Sequence, residues 1–303
     1  LIDIENEARI GRVTCGWKLP QLSLDFVRPY WRDAHSPAIA RRHGVYEYRH
    51  YPLDPIRSDL FPAIAGIDFA GKTGEMLMWL SDVRYADQKG LDAFGQSPGP
   101  EVKAKILDDI NMIVDKSTTY LVLGDKGRTL VDKSGNPAPA GDAAHPTFEV
   151  FFRQKGDEAS FRKIVSALAE KWATTPGVVR VRLALFEVPD MEAERKAGYP
   201  VKTHPLEMQY QAWIDLVIEN EGIAKSLLSA ADGVDYTAHI GAIHAYPSPA
   251  VYTFNYRNRP TLCGLRGYPA VLAIRNMKAE HQKDPGLLEW MYGDVAADGG
   301  PFA

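Results

Sequence analysis

Two spacings of apolar residues alternate along this chain: every second position over short runs, and every third or fourth over longer ones. The first marks half-buried strands and the second amphipathic helices, because side chains alternate across a strand and return to one helix face after about 3.6 residues. Val13, Cys15 and Trp17 share one face of an expected strand over 12–18. Ser23 caps a helix in which Phe26, Tyr30, Ala34, Ile39 and Ala40 keep helical spacing as far as His43, with Gly44 as its stop. A strand over 45–52 closes at Pro52, the apolar run 74–80 reads as another, and 82–94 reads as a helix. Beyond Ser97-Pro98-Gly99-Pro100, Val102, Ile106, Ile110 and Ile113 line a helix over 101–114, followed by a β-branched strand at 118–123. The order β-α-β, β-α-β is the split-βαβ, ferredoxin-like pattern.

Residues 125–146 lose all periodicity to Gly, Pro, Asp and Ala and read as a linker. The same order then returns: a strand at 147–152, a strong amphipathic helix at 157–172, and a strand at 177–188. After an insertion at 189–205 come a strand at 208–218, a short helix at 220–231 and a strand at 236–246. Residues 249–256 and a Pro-initiated helix over 269–281 form the tail. The expected fold is α+β, two tandem ferredoxin-like units spanning 1–124 and 147–303.

Composition narrows the function classes. The 303 residues, 45% hydrophobic and 24% charged, suit one or two ordinary globular domains. A net charge of −4 with no basic stripe argues against nucleic acid. Two cysteines, Cys15 and Cys263, are too few for a disulfide framework and read as reduced and buried. No apolar run approaches the roughly 20 residues that span a bilayer. The acidic start Leu-Ile-Asp-Ile-Glu-Asn-Glu shows no secretory signal, so a cytoplasmic protein is expected, with no membrane partner.

The chemistry concentrates in Tyr30-Trp31-Arg32-Asp33-Ala34-His35-Ser36-Pro37 and the strand after it. His35 lies one helical turn after Trp31, so an imidazole sits against an aromatic wall, able to exchange a proton near neutral pH or simply to pack. Period two puts Tyr46, Tyr48 and His50 on one strand face, a polar-aromatic lining for a carbonyl or phenolate, with Glu47, Arg49 and Tyr51 on the other. Tyr236, His244 and Tyr246 form a parallel row in the second half, and Asp215 is a charge in an apolar run, either paired or turned to solvent. Met76, Met78 and Trp79 read most economically as core, Trp79 being also a candidate for the ligand wall. Gly66-Ile67-Asp68-Phe69-Ala70-Gly71-Lys72-Thr73 spells a phosphate-binding loop, but its context is poor and it requires a helix over 74–80. No metal-ligand spacing stands out, and no metal or cofactor is expected; a haem on His35, His50, His239 or His244 is the alternative.

The aromatic-x-x-x-His-x-Pro element, the approach to Gly74-Glu75-Met76-Leu77, and Leu107-Asp108-Asp109-Ile110 resemble the EthD-like branch of the dimeric α/β-barrel superfamily over about the first 125 residues. The second half is similar to another ferredoxin-like unit of that superfamily, without the motif. The resemblance implies paired four-stranded sheets and a pocket between sheet and helices or inside the barrel. The expectation drawn from it is a cofactor-independent enzyme of the dehydratase or cyclase (lyase) type. It would eliminate, cyclise or isomerise a hydrophobic carbonyl- or phenol-bearing molecule through an enolate. His35, His50 and Tyr48 would be catalytic, and Tyr30, Trp31, Tyr46, Trp79, Tyr236 and His244 would bind. A homo-oligomer is expected. A non-catalytic binding protein and a haem- or oxygen-dependent oxidoreductase are the alternatives.

Overall fold

The strand carrying Val13, Cys15 and Trp17 is the second strand from one edge of a seven-stranded sheet, in which the strands expected near 45–52 and 118–123 also lie. A computed structural model describes residues 7–72, 74, 76–196, 208–229 and 233–293. In the first unit β1 (Ile10–Lys18) leads through α1 (Leu24–Tyr30), a π-helical turn (Trp31–His35) and α2 (Ser36–Ala40) to β2 (Glu47–Pro52). Then come β3 (Trp79–Tyr85), α3 (Gln88–Gln96), α4 (Pro100–Ile113) and β4 (Val114–Leu123). Sheet order β2-β3-β1-β4, all antiparallel, is the ferredoxin-like arrangement.

The segment 125–146, expected to be a structureless linker, holds β5 (Gly127–Asp132) and β6 (Ala140–Asp142). Both are short and depend on partners distant in sequence, so local pattern does not show them. The second unit follows: β7 (Thr147–Gln154), α5 (Glu158–Thr174), β8 (Val178–Leu185), α6 (Met191–Lys196), β9 (Ala212–Ile218), α7 (Ala224–Leu227) and β10 (Ile240–Pro247). Its sheet, β10-β7-β9-β8-β5, repeats the order of the first. The chain ends its described part with β11 (Ala250–Tyr256), β12 (Arg259–Pro260), α8 (Leu262–Arg266), α9 (Tyr268–Asn276) and α10 (Pro285–Tyr292).

Each unit closes the other's sheet. β5, which follows the fourth strand of the first unit, pairs with β8 of the second. β11, which follows the fourth strand of the second unit, pairs with β2 of the first. The exposed backbone edges of both second strands are thereby hydrogen-bonded.

The two sheets also pack face to face. Val13, Cys15, Tyr51, Leu80 and Tyr120 from one meet Phe151, Trp213 and Tyr246 from the other in one buried cluster. The same interface buries charge. Arg182 lies 2.5 Å from Glu47 and 3.4 Å from Asp82, Asp82 2.6 Å from Arg84, and Arg49 2.8 Å from Glu47. Asp215 is buried and paired with Arg180 at 2.9 Å rather than turned to solvent. Burial and the nearby Asp215 push the Glu149 carboxyl well up, although Trp213 Nε1 donates to it at 2.7 Å.

Two expected boundaries move. The strand placed at 74–80 begins only at Trp79 and runs to Tyr85, so the helix placed at 82–94 starts at Gln88. Ser81, Asp82 and Arg84 look like surface positions in the sequence but are buried, Asp82 and Arg84 at the interface and Ser81 on the helix-covered face. The expected strand at 236–246 starts at Ile240, and Tyr236 lies in a 3₁₀ turn. Cys15 and Cys263 are both free and buried. No helix among the described residues is long and apolar enough to cross a membrane.

Candidate active site

The first unit keeps a cavity between its sheet and its helices, and the helix bearing Trp31 and His35 forms one wall. Ser23 caps α1 by accepting from the Phe26 N–H. Pro37 has no N–H for the helical ladder, and the Ser36 N–H reaches back to the Trp31 carbonyl in a π-helical turn. That turn stacks Trp31 on His35 with ring centroids 4.1 Å apart. Trp31 also stacks on Trp79 of β3 at 4.6 Å. Trp79 lies flat because Gly16, its partner on β1, has no Cβ; a methyl there would stand 2.0 Å from the indole.

His35 is 4% exposed, and its Nδ1 lies 2.6 Å from Asp109 Oδ2 on α4. Tyr30 donates its phenol hydrogen to the other oxygen of the same carboxylate. Burial pushes the Asp109 carboxyl up, but the hydrogen bonds from His35 and Tyr30 outweigh it and hold the group below the ordinary carboxylate range. The carboxylate accepts from Nδ1–H, which leaves Nε2 as the ring nitrogen that His35 can offer to the cavity it lines. Tyr48 reaches the same cavity from β2, its hydroxyl 2.9 Å from Ser36 Oγ. Burial lifts its phenol to about 12 despite the polar groups of Ser36, Ser81 and Trp31 around it, so it stays protonated.

The cavity, of about 110 Å³, therefore joins four of the residues picked from sequence: Trp31, His35, Tyr48 and Trp79. Tyr30 stands behind it, holding Asp109. The others lie elsewhere. Tyr46 bonds Glu7, outside the cavity. His50 packs between Trp31 and Tyr252 at 6.3 Å from each ring, and burial with the charges of His35, Arg32 and Arg28 lowers its pKa to about 3. Tyr236 is core of the second unit. His244 is buried in that half, Nδ1 2.7 Å from the Tyr210 hydroxyl and Nε2 3.4 Å from Asp68.

The second unit has a pocket beside Glu158, Arg162 and Glu187, but the centre of its helix-covered face is packed. Leu60, Phe61, Ile64 and Ile67, carried over from the first unit, fill it, and Phe61 stacks on Trp172 at 5.5 Å.

The phosphate-loop letters fold into something else. Asp68 Oδ1 accepts from the Ala70 and Gly71 N–H groups that would cradle a phosphate, and Met76 to Met78 form no helix. Thr73 and Glu75 lie outside the described residues. A haem does not fit either. His50 is enclosed by rings, His244 has both nitrogens engaged, His239 faces Asp157 at 3.8 Å, and the space beside His35 is too small for a porphyrin. Among the described residues no three His, Cys, Asp or Glu side chains converge as metal ligands.

Sequence reasoning quoted Asp109 in the resemblance but gave it no role at the site. It sits three residues after Ile106 and four before Ile113, a carboxylate inside the apolar stripe of α4, and that break in the stripe was the available signal. It also missed the floor of the cavity. Ser81, Thr14 and Thr119 lie on one rung across β3, β1 and β4, with Thr14 and Thr119 hydroxyls 3.1 Å apart.

No protein-family model and no curated protein matches the chain. Three solved structures are similar in fold. An anthrone oxidase-like protein is 11% identical, with 83% of this chain and 95% of that one covered and a TM-score of 0.47. A protein named as a candidate monooxygenase from Fusobacterium nucleatum is 11% identical over 84% and 99% of the two chains, TM-score 0.46. Another so named, from Lactobacillus acidophilus, is 10% identical over 82% and 98%, TM-score 0.43. These neighbours are named for oxidation, not for lyase chemistry. Of the three residues expected to be catalytic, His35 and Tyr48 line the cavity and His50 does not. The expectation of a dehydratase or cyclase is therefore overturned.

Proposed function

We propose that the protein is an oxidoreductase that binds an electron-rich hydroxylated aromatic in the first unit's cavity and delivers it, deprotonated, to dioxygen. The observation that carries this reading is the His35–Asp109 pair, which presents Nε2 as a base to a cavity walled by Trp31 and Trp79. The aromatic-x-x-x-His-x-Pro element of the EthD-like resemblance falls on the same residues.

His35 Nε2 takes the proton of a ring hydroxyl or of its enol tautomer, a step to which a positioned base contributes about 10²–10⁴-fold. Asp109 stabilises the imidazolium that forms. The phenolate or enolate is held by the Tyr48 hydroxyl against indole rings, where poor solvation makes it a stronger electron donor. Dioxygen, itself apolar, accepts one electron. The resulting radicals combine into a C–O bond, the peroxide takes the proton back from His35, and loss of water leaves a carbonyl. The balance is one substrate and one O₂ giving one quinone-type product and one water. An apolar wall that excludes bulk water suits a reaction whose intermediates water would quench.

Oxygen uptake measured with anthrone and with hydroxylated naphthalenes tests the proposal. Wild-type protein is expected to consume oxygen in proportion to carbonyl formed, and His35→Ala to lose nearly all of this with its circular dichroism unchanged. No uptake with any such compound, or full uptake by the variant, would sink the reading; tight binding without uptake would leave a carrier.

A further inference from the structure

Arg32 lies inside the π-helical turn, between Trp31 and His35, yet it does not line the cavity. Its Nε and Nη2 donate to the two oxygens of Asp33 at 2.7 and 2.6 Å, which fixes the plane of the guanidinium. Two rings from the far end of the chain then enclose it. The guanidinium carbon is 5.3 Å from the ring centroid of Tyr252 on β11 and 4.8 Å from that of Tyr268 on α9. Nη1 also donates to the Tyr252 hydroxyl at 3.3 Å, and the two tyrosines pack edge to face at 4.9 Å. A planar cation between aromatic rings is held by their quadrupoles as well as by contact.

Tyr252 reaches the turn by a second route. It packs on His50, and His50 packs on Trp31, each at 6.3 Å. Trp31 and Arg32 are neighbours in the chain, so these contacts close a ring around the backbone at the start of the turn. Past the turn, the same tail holds α2: Arg41 Nη2 donates to the Leu265 carbonyl, and Asn255 Nδ2 to the Ala40 carbonyl, both at 2.9 Å. A π-helical turn is a rare departure from the α-helical ladder. Here it is gripped on both sides by residues more than 200 positions later in the chain.

We infer that Arg32 is a positioning residue: clasped by Tyr252 and Tyr268, it sets the π-helical turn so that His35 meets Asp109 beside Trp31. The tail that follows the second unit thereby governs the active site of the first. This rests on the cavity being the working site proposed above. Arg32 takes no part in the proton transfer and acts only through the placing of His35. A base held slightly out of line loses its reactive geometry, so a residue that touches no substrate can lower turnover. Plain packing makes a different forecast: lower stability, with His35 and turnover unaltered in the folded protein.

Three variants test it. Arg32→Met removes the cation, Tyr268→Leu removes a ring that lies outside the cavity, and Tyr268→Phe keeps that ring. The Arg32 side chain is 21% exposed, so its replacement leaves the fold in place, which circular dichroism checks. The first reading needs no substrate: ¹⁵N–¹H spectra of histidine-labelled protein, with His35→Ala to assign the signal. Wild type is expected to show His35 with its proton on Nδ1, deshielded by Asp109. Arg32→Met and Tyr268→Leu are expected to lose that signal and Tyr268→Phe to keep it. The second reading is oxygen uptake: kcat is expected to fall by about 10- to 10²-fold in Arg32→Met and Tyr268→Leu with KM within about twofold, and to stay near wild type in Tyr268→Phe. An unchanged His35 signal in Arg32→Met and Tyr268→Leu, or equal losses in Tyr268→Phe and Tyr268→Leu, would overturn the inference. Wild-type kcat in both of the disruptive variants would sink it and leave oxidation standing. A His35 signal lost as expected, in a protein that consumes no oxygen, would leave it standing and sink oxidation alone.

Discussion

His35 and Asp109 are 74 residues apart in the chain and 2.6 Å apart in space, joining the π-helical turn of one helix to the face of another. The carboxylate selects the tautomer of the ring, and Tyr30 holds the carboxylate. Asp109→Asn keeps the shape and removes the charge. It is expected to lower kcat on the order of 10²-fold with KM little changed, because the loss falls on the imidazolium formed in the transition state. Turnover equal to wild type would show that Asp109 does not position the base.

His50 should make the protein sensitive to acid. Its folded pKa is about 3, below the ordinary value of about 6.5, so between those two the unfolded chain binds a proton that the folded state refuses. Stability therefore falls as pH drops through that window and does not depend on this group above it. The slope approaches about 1.4 kcal/mol per pH unit. Denaturant midpoints taken from pH 7 to 4 should show a flatter acid limb in His50→Gln; an identical limb would assign the sensitivity to other groups.

Gly16→Ala should unseat Trp79. The added methyl would lie 2.0 Å from the indole, which cannot shift without disturbing its stack on Trp31. A loss of about 1–3 kcal/mol in denaturant stability is expected, together with loss of ligand binding in the cavity. Binding and stability both at wild-type levels would mean the ring has room that the packing does not show.

Arg182 joins the halves of the chain through Glu47 and Asp82, three groups that are almost wholly buried. Arg182→Met takes from Glu47 its nearest cation and leaves that buried carboxylate with Arg49, while Asp82 keeps Arg84. A loss of about 1–3 kcal/mol is expected, the cost of a buried hydrogen bond to a charged group. Unfolding followed separately at 280 nm and in the far ultraviolet would show whether the units still melt together; a change below about 1 kcal/mol would mean the network is not what couples them.

The first unit was largely legible because its signals are local. The i, i+4 spacing of Trp31 and His35 and the alternation of Tyr46, Tyr48 and His50 follow from backbone geometry that any chain obeys. The helix of α4 and the long amphipathic helix α5 were read for the same reason. The misplacement of β3 has the opposite cause. Ser81, Asp82 and Arg84 alternate with apolar residues but lie buried on both faces, so a rule that sends charge to the surface moved the strand toward Met76 and Leu77.

The amino-acid sequence by itself determined the two ferredoxin-like repeats, the unit that carries the histidine, and the aromatic wall beside it, because each depends on residues within a few turns of one another. Only the tertiary structure decided that Tyr48 joins His35 while His50 and Tyr46 do not. Period two places all three on one face, but their separation along the strand puts each under a different roof. It alone brought Asp109 to His35, closed each sheet with a strand from the other half, and filled the second unit with Phe61 and its neighbours. These are contacts between segments distant in the chain. Their energy comes from burial and charge pairing that exist only once both partners are in place.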